Sequence, residues 1–323
     1  MQLPIFFKDS YINFPTYPCN LLDTGCYQSA LSNYKLDLDQ DVDKLFAEDV
    51  PNADIDFELW DVKPACAGWS RWRVNSDAKV KELLGDKSTL NATSSQPAGD
   101  VATKKDPPCR IVYVCDGPNC IFLTPSCSFP SSDHSQASLK ITRNVFARIL
   151  TYHQVTPLYL DFLSAFGRQS RKRDLRYSGF REKNKLGTPR LSSVVNALGR
   201  SGRHVEMCYN LKWVGCKNPA ATTTKLQEWT IRPAAIYYRF DVVEATGFWL
   251  ITTPRDNFKL LLADTIGQKG RLEDRDYSTP ESSFVAGLAI HAFTAQWSTD
   301  GWHRYIQWLE GVVEDDVSRY QIA

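Results

Sequence analysis

The longest apolar stretch in the chain, Phe284 to Trp297, is fourteen residues and is interrupted by His291, Thr294 and Gln296. Spanning a bilayer takes roughly 18–20 apolar residues in a row, so no segment reads as a membrane helix. The apolar residues must instead be buried against one another in packed layers. With 43% hydrophobic residues over 323 positions, there is enough to fill one large domain or two small ones.

Charge narrows the function classes. The 38 Lys and Arg nearly balance the 37 Asp and Glu and leave a formal +1, which argues against a dedicated nucleic-acid-coating protein while concealing strong local segregation. The opening Met1-Gln-Leu-Pro-Ile-Phe-Phe-Lys8 lacks the basic start, long apolar centre and small-residue cleavage site of an export signal. The nine Cys then read as reduced thiols of a cytoplasmic protein, and the Asn91-Ala92-Thr93 glycosylation match reads as idle.

The chain divides into three parts. Residues 1–86 are aromatic-rich, acidic and irregular in pattern, an N-terminal lobe expected to pack on the body; ten acidic residues fall between Asp37 and Asp61 against the single Lys44. Residues 87–108 are Ser, Thr, Ala, Pro and Lys with almost nothing to bury, the composition of a mobile surface loop. Residues 109–323 form the main body. There Cys109–Cys115 and Cys120–Thr124 flank the turn residues Asp116-Gly-Pro-Asn119, a hairpin signal. Thr142 caps a helix whose apolar face is Val145, Phe146, Ile149 and Leu150, and Leu158–Phe166 forms a second, short helix. Strands follow at Val205–Trp213, Ala234–Phe240 and Phe248–Thr253, the last two joined as a hairpin through Asp241–Gly247. The final third is helical: Asn257–Ile266, then a helix begun by Thr279-Pro280-Glu281 with Phe284, Val285, Leu288, Ala292 and Phe293 on its buried face. Trp302, Tyr305, Ile306, Leu309, Val312 and Val313 continue at helical spacing. This order predicts an α/β fold, layered α/β/α, with a mixed, largely antiparallel sheet and long C-terminal helices.

Little in the sequence points to catalysis. Phosphate-binding glycine loops and nucleophile elbows are absent, and His134, His153, His204, His291 and His303 are scattered. His153, on a mostly apolar helix, reads as a hydrogen-bonded structural residue, and the chain reads as a non-enzyme. Cys109, Cys115, Cys120 and Cys127 lack the close knuckle spacing of zinc ligands. Asp37, Asp39, Asp41 and Glu48 copy the carboxylate spacing of a calcium loop, but Val42 stands where glycine is needed, so a solvated acidic segment fits better. Between Gly167 and Arg190, nine basic residues against Asp174 and Glu182 give +7. Arg171, Lys172, Arg173, Arg176 and Arg181, interleaved with Tyr177 and Phe180, form a candidate surface for an acidic partner, an anionic lipid or RNA. Glu310 and Glu314 lie one helical turn apart with Asp315 and Asp316 adjacent, hard oxygen ligands able to hold Mg2+, the one cofactor expected, if a neighbouring subunit adds more.

Several strings together resemble the fungal CorA-like transporter-domain family. They are Ile149 to Gly167, Arg176-Tyr-Ser-Gly-Phe-Arg181, Gly199-Arg-Ser-Gly-Arg203, Cys208-Tyr-Asn-Leu-Lys212, Trp229-Thr-Ile-Arg232, Phe240 to Ile251 and Trp297 to Glu310. They cover about residues 105–320 in one order. The resemblance implies a cytosolic domain like the one preceding the membrane part of CorA magnesium channels. Those channels are pentamers, with divalent ions between cytosolic domains holding the gate shut and Gly-Met-Asn closing the first membrane helix. Here the only Met residues are Met1 and Met207, so Gly-Met-Asn is absent.

The expectation is therefore a cytosolic, regulatory, ion-sensing domain of a divalent metal ion transporter, cut from a longer protein or naturally truncated. It would self-associate or join the membrane part of the same longer protein. The alternative is a stand-alone interaction module that uses the basic 167–190 segment.

Overall fold

The structure, a computed structural model, describes residues 3–50, 53–63, 68–86, 104–115, 138–167, 177–216, 229–253, 258–267 and 270–321. The first part of the chain contains α1 (Ile5–Ile12), α2 (Gln28–Gln40), α3 (Val42–Leu45), β1 (Phe46–Ala47), β2 (Phe57–Val62), β3 (Trp69–Val74) and α4 (Asp77–Leu84). The middle holds β4 (Cys109–Cys115), β5 (Leu139–Thr142), α5 (Arg143–Tyr152), α6 (Leu160–Leu163), β6 (Phe180–Lys185), β7 (His204–Cys216), β8 (Trp229–Asp241) and β9 (Thr246–Thr253). Three helices close it: α7 (Phe258–Thr265), α8 (Pro280–Thr299) and α9 (Trp302–Gln321).

Seven of the described strands form one sheet in the order β3-β2-β4-β9-β8-β7-β6. The β4–β9 pair is parallel, and the other five pairs are antiparallel. The period-2 alternation of the central strands explains why both faces are covered. Val112 and Val114 of β4, Tyr237 of β8 and Leu250 of β9 enter one core together with α1, α4, α5 and α6 residues such as Phe7, Leu84, Phe146 and Phe162. Their neighbours Ile111, Tyr113, Tyr238 and Trp249 face the other way, into a second core with Phe258 of α7 and Ala286, Ile290 and Trp297 of α8. The predicted layered α/β architecture, mostly antiparallel sheet and long C-terminal helices are all present.

Helix starts follow their cap chemistry. The Thr142 hydroxyl accepts from Val145 N, and Thr279 and Ser282 exchange hydrogen bonds in a capping box with Pro280 at the first helical position. The β8–β9 hairpin forms as expected, but the left-handed position is Ala245 (φ 56°) rather than glycine. Gly247 has a different task, donating its N–H to Pro108 O at 2.8 Å where β4 begins.

Three expectations change. Both edges of β4 are taken, by β2 and by β9, so the hairpin expected between Cys109–Cys115 and Cys120–Thr124 is not how β4 pairs; residues 116–137 lie outside the described residues. The part before residue 86, irregular in pattern, contributes β2 and β3 to the main sheet and residues of α1, α2, α3 and α4 to its first core. Aromatic and acidic residues masked its periodicity, because Asp56, Glu58 and Asp61 are held by Arg73, Lys259 and Arg110. The third change concerns α8. Its buried residues are Ser283, Ala286, Gly287, Ile290, Thr294, Trp297 and Ser298, whereas Phe284, Val285 and Leu288 are 41%, 45% and 47% exposed. Tyr238 and Trp249 already fill the sheet surface with large rings, so the helix needs small residues against them. A Cβ on Gly287 would stand 2.3 Å from Tyr238 Oη. In a stretch apolar on every side, periodicity alone could not choose the face.

Candidate functional site

The family-like strings mostly turn out to build the scaffold. Gly199 and Gly202 adopt φ of 70° and 77°, the left-handed region that glycine occupies at little cost. They bracket Arg200, whose guanidinium grips Asp106 at 2.6 and 3.1 Å and donates to Tyr152 O at 2.5 Å, deep in the protein. Burial opposes the Asp106 charge, but Arg200 outweighs it and holds the carboxyl below its ordinary range. Asn210 accepts from Gly179 N and donates to Tyr177 O, tying β7 to the start of β6. Tyr159 and Thr252 share a 2.8 Å hydrogen bond across the first core.

His153 is not the hydrogen-bonded residue expected. Its ring stacks 3.7 Å from Phe248, and neither ring nitrogen has a hydrogen-bond partner among the described residues. Burial, reinforced by Arg110, Arg200 and Arg239, holds the imidazole well below its ordinary pKa and therefore neutral. Cys109 and Cys115 are buried strand residues, and burial pushes the Cys109 thiol up; Cys120 and Cys127 lie outside the described residues. Asp37 and Asp39 sit within α2 rather than in a loop, and Asp39 pairs with Lys35 and Arg143. Helical backbone cannot wrap a calcium ion with alternate residues, so the calcium-loop reading ends there.

The basic stretch is partly used internally. Lys183 donates to the backbone carbonyls of Asp23 and Thr24, while Lys185 and Arg190 reach the Asp23 carboxylate at 3.0 and 3.2 Å. Desolvation works against the Asp23 charge, but these cations prevail and lower its pKa. Arg181 is exposed on the edge strand β6 and donates to Phe180 O at 3.3 Å. Arg171, Lys172, Arg173 and Arg176 lie outside the described residues.

The C-terminal carboxylates lie on α9, whose root is firmly placed. Trp302 Nε1 donates to Lys212 O at 3.0 Å, and Tyr305 and Trp308 pack on Trp229 with ring centroids 5.5 and 6.2 Å away. Gly301 permits this approach, because a Cβ there would lie 1.7 Å from Val214 O. Beyond that root the helix leaves the body. A Cβ on Gly311 would meet nothing within 4 Å, and Glu314, Asp315 and Asp316 are exposed, as is Glu310. Ile306, Leu309, Val313 and Val317, at spacings of 3, 4 and 4, are 49%, 38%, 59% and 50% exposed. They form an apolar stripe that no described residue covers. Among the described residues, no three His, Cys, Asp or Glu side chains converge to hold a metal ion. Glu310, Glu314, Asp315 and Asp316 thus lie as an exposed row along α9.

No helix among the described residues is long and apolar enough to cross a membrane. The molecule is thus a helix-covered, mostly antiparallel α/β sheet that carries a long, half-free terminal helix. Its sequence matches the family of CorA-like transporters over residues 9–321. The chain belongs to that family, and the match takes in the N-terminal part as well as the body. A search of curated proteins gave no match.

Proposed function

We propose that this chain is the regulatory, ion-sensing part of a CorA-like divalent cation transporter, working at the cytosolic face of a membrane and reading Mg2+ through its own assembly. The observation that carries this reading is α9, which presents Glu310, Glu314, Asp315 and Asp316 beside an uncovered Ile306–Leu309–Val313–Val317 stripe. Mg2+ keeps several waters and is commonly held by only one or two carboxylates at a time. A second copy packed on the stripe would bring a second row of carboxylates to the same place. Without the ion those rows repel; with it they are bridged, so occupancy shifts the equilibrium between separate and assembled chains. The apolar spacing resembles the seam of a helical coiled coil, where such stripes pair with one another.

Sedimentation of the chain with and without millimolar Mg2+ tests the reading. Mg2+ should raise the assembled fraction, and Glu310→Gln with Glu314→Gln should remove that response while leaving the melting temperature of the separate chain unchanged. An assembled fraction that ignores Mg2+ would end the sensing role.

A further inference from the structure

A cavity of 740 Å³ opens between the facing ends of β2 and β3 and the residues from Leu272 to Tyr277, lined by Lys63, Trp69, Arg71, Glu273, Arg275 and Tyr277 among others. It lies far along the sheet from α9, beyond the β3 edge, and nothing in the sensing role uses it. The geometry points to a binding site for a nucleoside phosphate.

Three cations face this space, and none forms an ion pair among the described residues. Arg71 donates to Ala263 O at 3.4 Å and lies 4.4 Å over the Trp60 ring, and Arg275 donates to Gly267 O at 3.2 Å. Lys63 is exposed at the rim. Elsewhere buried Arg239 donates to a backbone carbonyl, His153 O, while Arg110, Arg143, Arg148 and Arg200 have carboxylate partners. A guanidinium and an ammonium left without one are suited to phosphate oxygens.

The wall between them is aromatic and already held in place. Trp69 Nε1 donates to Ile266 O at 3.0 Å, and the indole meets Tyr277 edge-on, with ring centroids 5.9 Å apart. An indole fixed in this way can take a flat ring against it without losing further side-chain freedom. Leu272, 74% exposed on the same rim, supplies uncovered apolar surface.

Glu273 and Asp276 also line the cavity. They would repel a bare inorganic anion, but they can accept hydrogen bonds from ribose hydroxyls or an exocyclic amine. The combination selects a ligand that is anionic at one end and carries ring and hydroxyl groups at the other. The volume falls within the roughly 300–1,000 Å³ of small-molecule sites.

ADP is the probe, added to the whole chain in buffer with EDTA, so that the outcome is independent of any Mg2+ response at α9. Equilibrium dialysis should show saturable binding with Kd below about 1 mM, accompanied by a fluorescence change that Trp69→Phe removes. Lys63→Ala, at an exposed position, should weaken binding about fivefold or more with an unchanged melting temperature, and Arg275→Ala should do the same. Adenosine alone and pyrophosphate alone should each compete at least about tenfold more weakly than ADP. Three results would overturn the assignment: no saturation by roughly 5 mM ADP, unchanged affinity in folded Lys63→Ala and Arg275→Ala, or pyrophosphate competing as well as ADP.

Discussion

Acid should weaken this fold through His291, and the size of the effect can be worked out. The ring projects from α8 onto the sheet, sharing a 2.8 Å hydrogen bond between Nδ1 and Tyr209 Oη and packed 4.5 Å from Trp249 and 4.9 Å from Tyr238. Among the described residues its Nε2 has no hydrogen-bond partner and no carboxylate pairs with it to stabilise an imidazolium. Burial lowers its pKa to about 4, against about 6.5 in an unfolded chain. Between those values the unfolded state binds more protons, so stability is full above pH 6.5 and falls as pH drops toward 4. At pH 4.5 the two pKa values give a loss of about 2.5 kcal/mol from this residue alone. His153 acts in the same direction, since burial and three arginines hold it neutral. Urea unfolding at pH 7 and pH 4.5 measures the effect, with His291→Gln as the comparison because glutamine keeps an acceptor and does not titrate. The variant should be less stable at pH 7 yet lose about 2.5 kcal/mol less than the native chain on acidification. Equal losses in both proteins would refute the argument.

Two further perturbations probe the scaffold. Asp106→Asn should destabilise by about 3–5 kcal/mol, because it strands the Arg200 charge where both partners are almost fully buried; thermal and urea unfolding would show it, and a loss under about 1 kcal/mol would mean that water reaches the guanidinium. Gly301→Ala should pull the root of α9 off the sheet, since the added methyl meets Val214 O. Trp302 and Trp229 would become more exposed, read as a red-shifted tryptophan emission, and an unchanged spectrum would contradict the packing described.

How far the sequence was legible depended on whether one interaction dominated a segment. Thr142 and Thr279 announce their helices because capping is local, and both cap as expected. The strands β7 to β9 alternate cleanly because each has one face in each core, although they extend beyond the apolar pattern, β8 by five residues at its start. The pairing of β4 was misleading. The turn residues after Cys115 favour a hairpin, yet the strand's two edges are claimed by partners about fifty residues before and well over a hundred after it. Long-range pairing leaves no local mark. The buried face of α8 failed for the opposite reason: every side of it is apolar, and the choice rests on the rings of Tyr238 and Trp249 beneath it.

Chemistry was less legible still. The pairing of Arg200 with Asp106, 94 positions apart, and the gathering of Lys63, Arg71 and Arg275 around one cavity exist only after folding. The +7 segment looked like a free surface, but Lys183, Lys185 and Arg190 spend their charge on the Asp23 loop. By contrast, the helical placement of Glu310 and Glu314 followed from spacing, because a helix turn converts sequence intervals directly into neighbours.

The central claim is that α9 assembles this chain in response to a divalent ion. Sedimentation velocity of the whole chain, in EDTA and then in millimolar Mg2+, tests it most directly when Val313→Asp is run beside the native sequence. The account predicts a larger species with Mg2+ for the native chain and none for the variant, in which a charge is set within the exposed stripe. A native chain with the same sedimentation in both buffers, or a variant that assembles as readily, would contradict it.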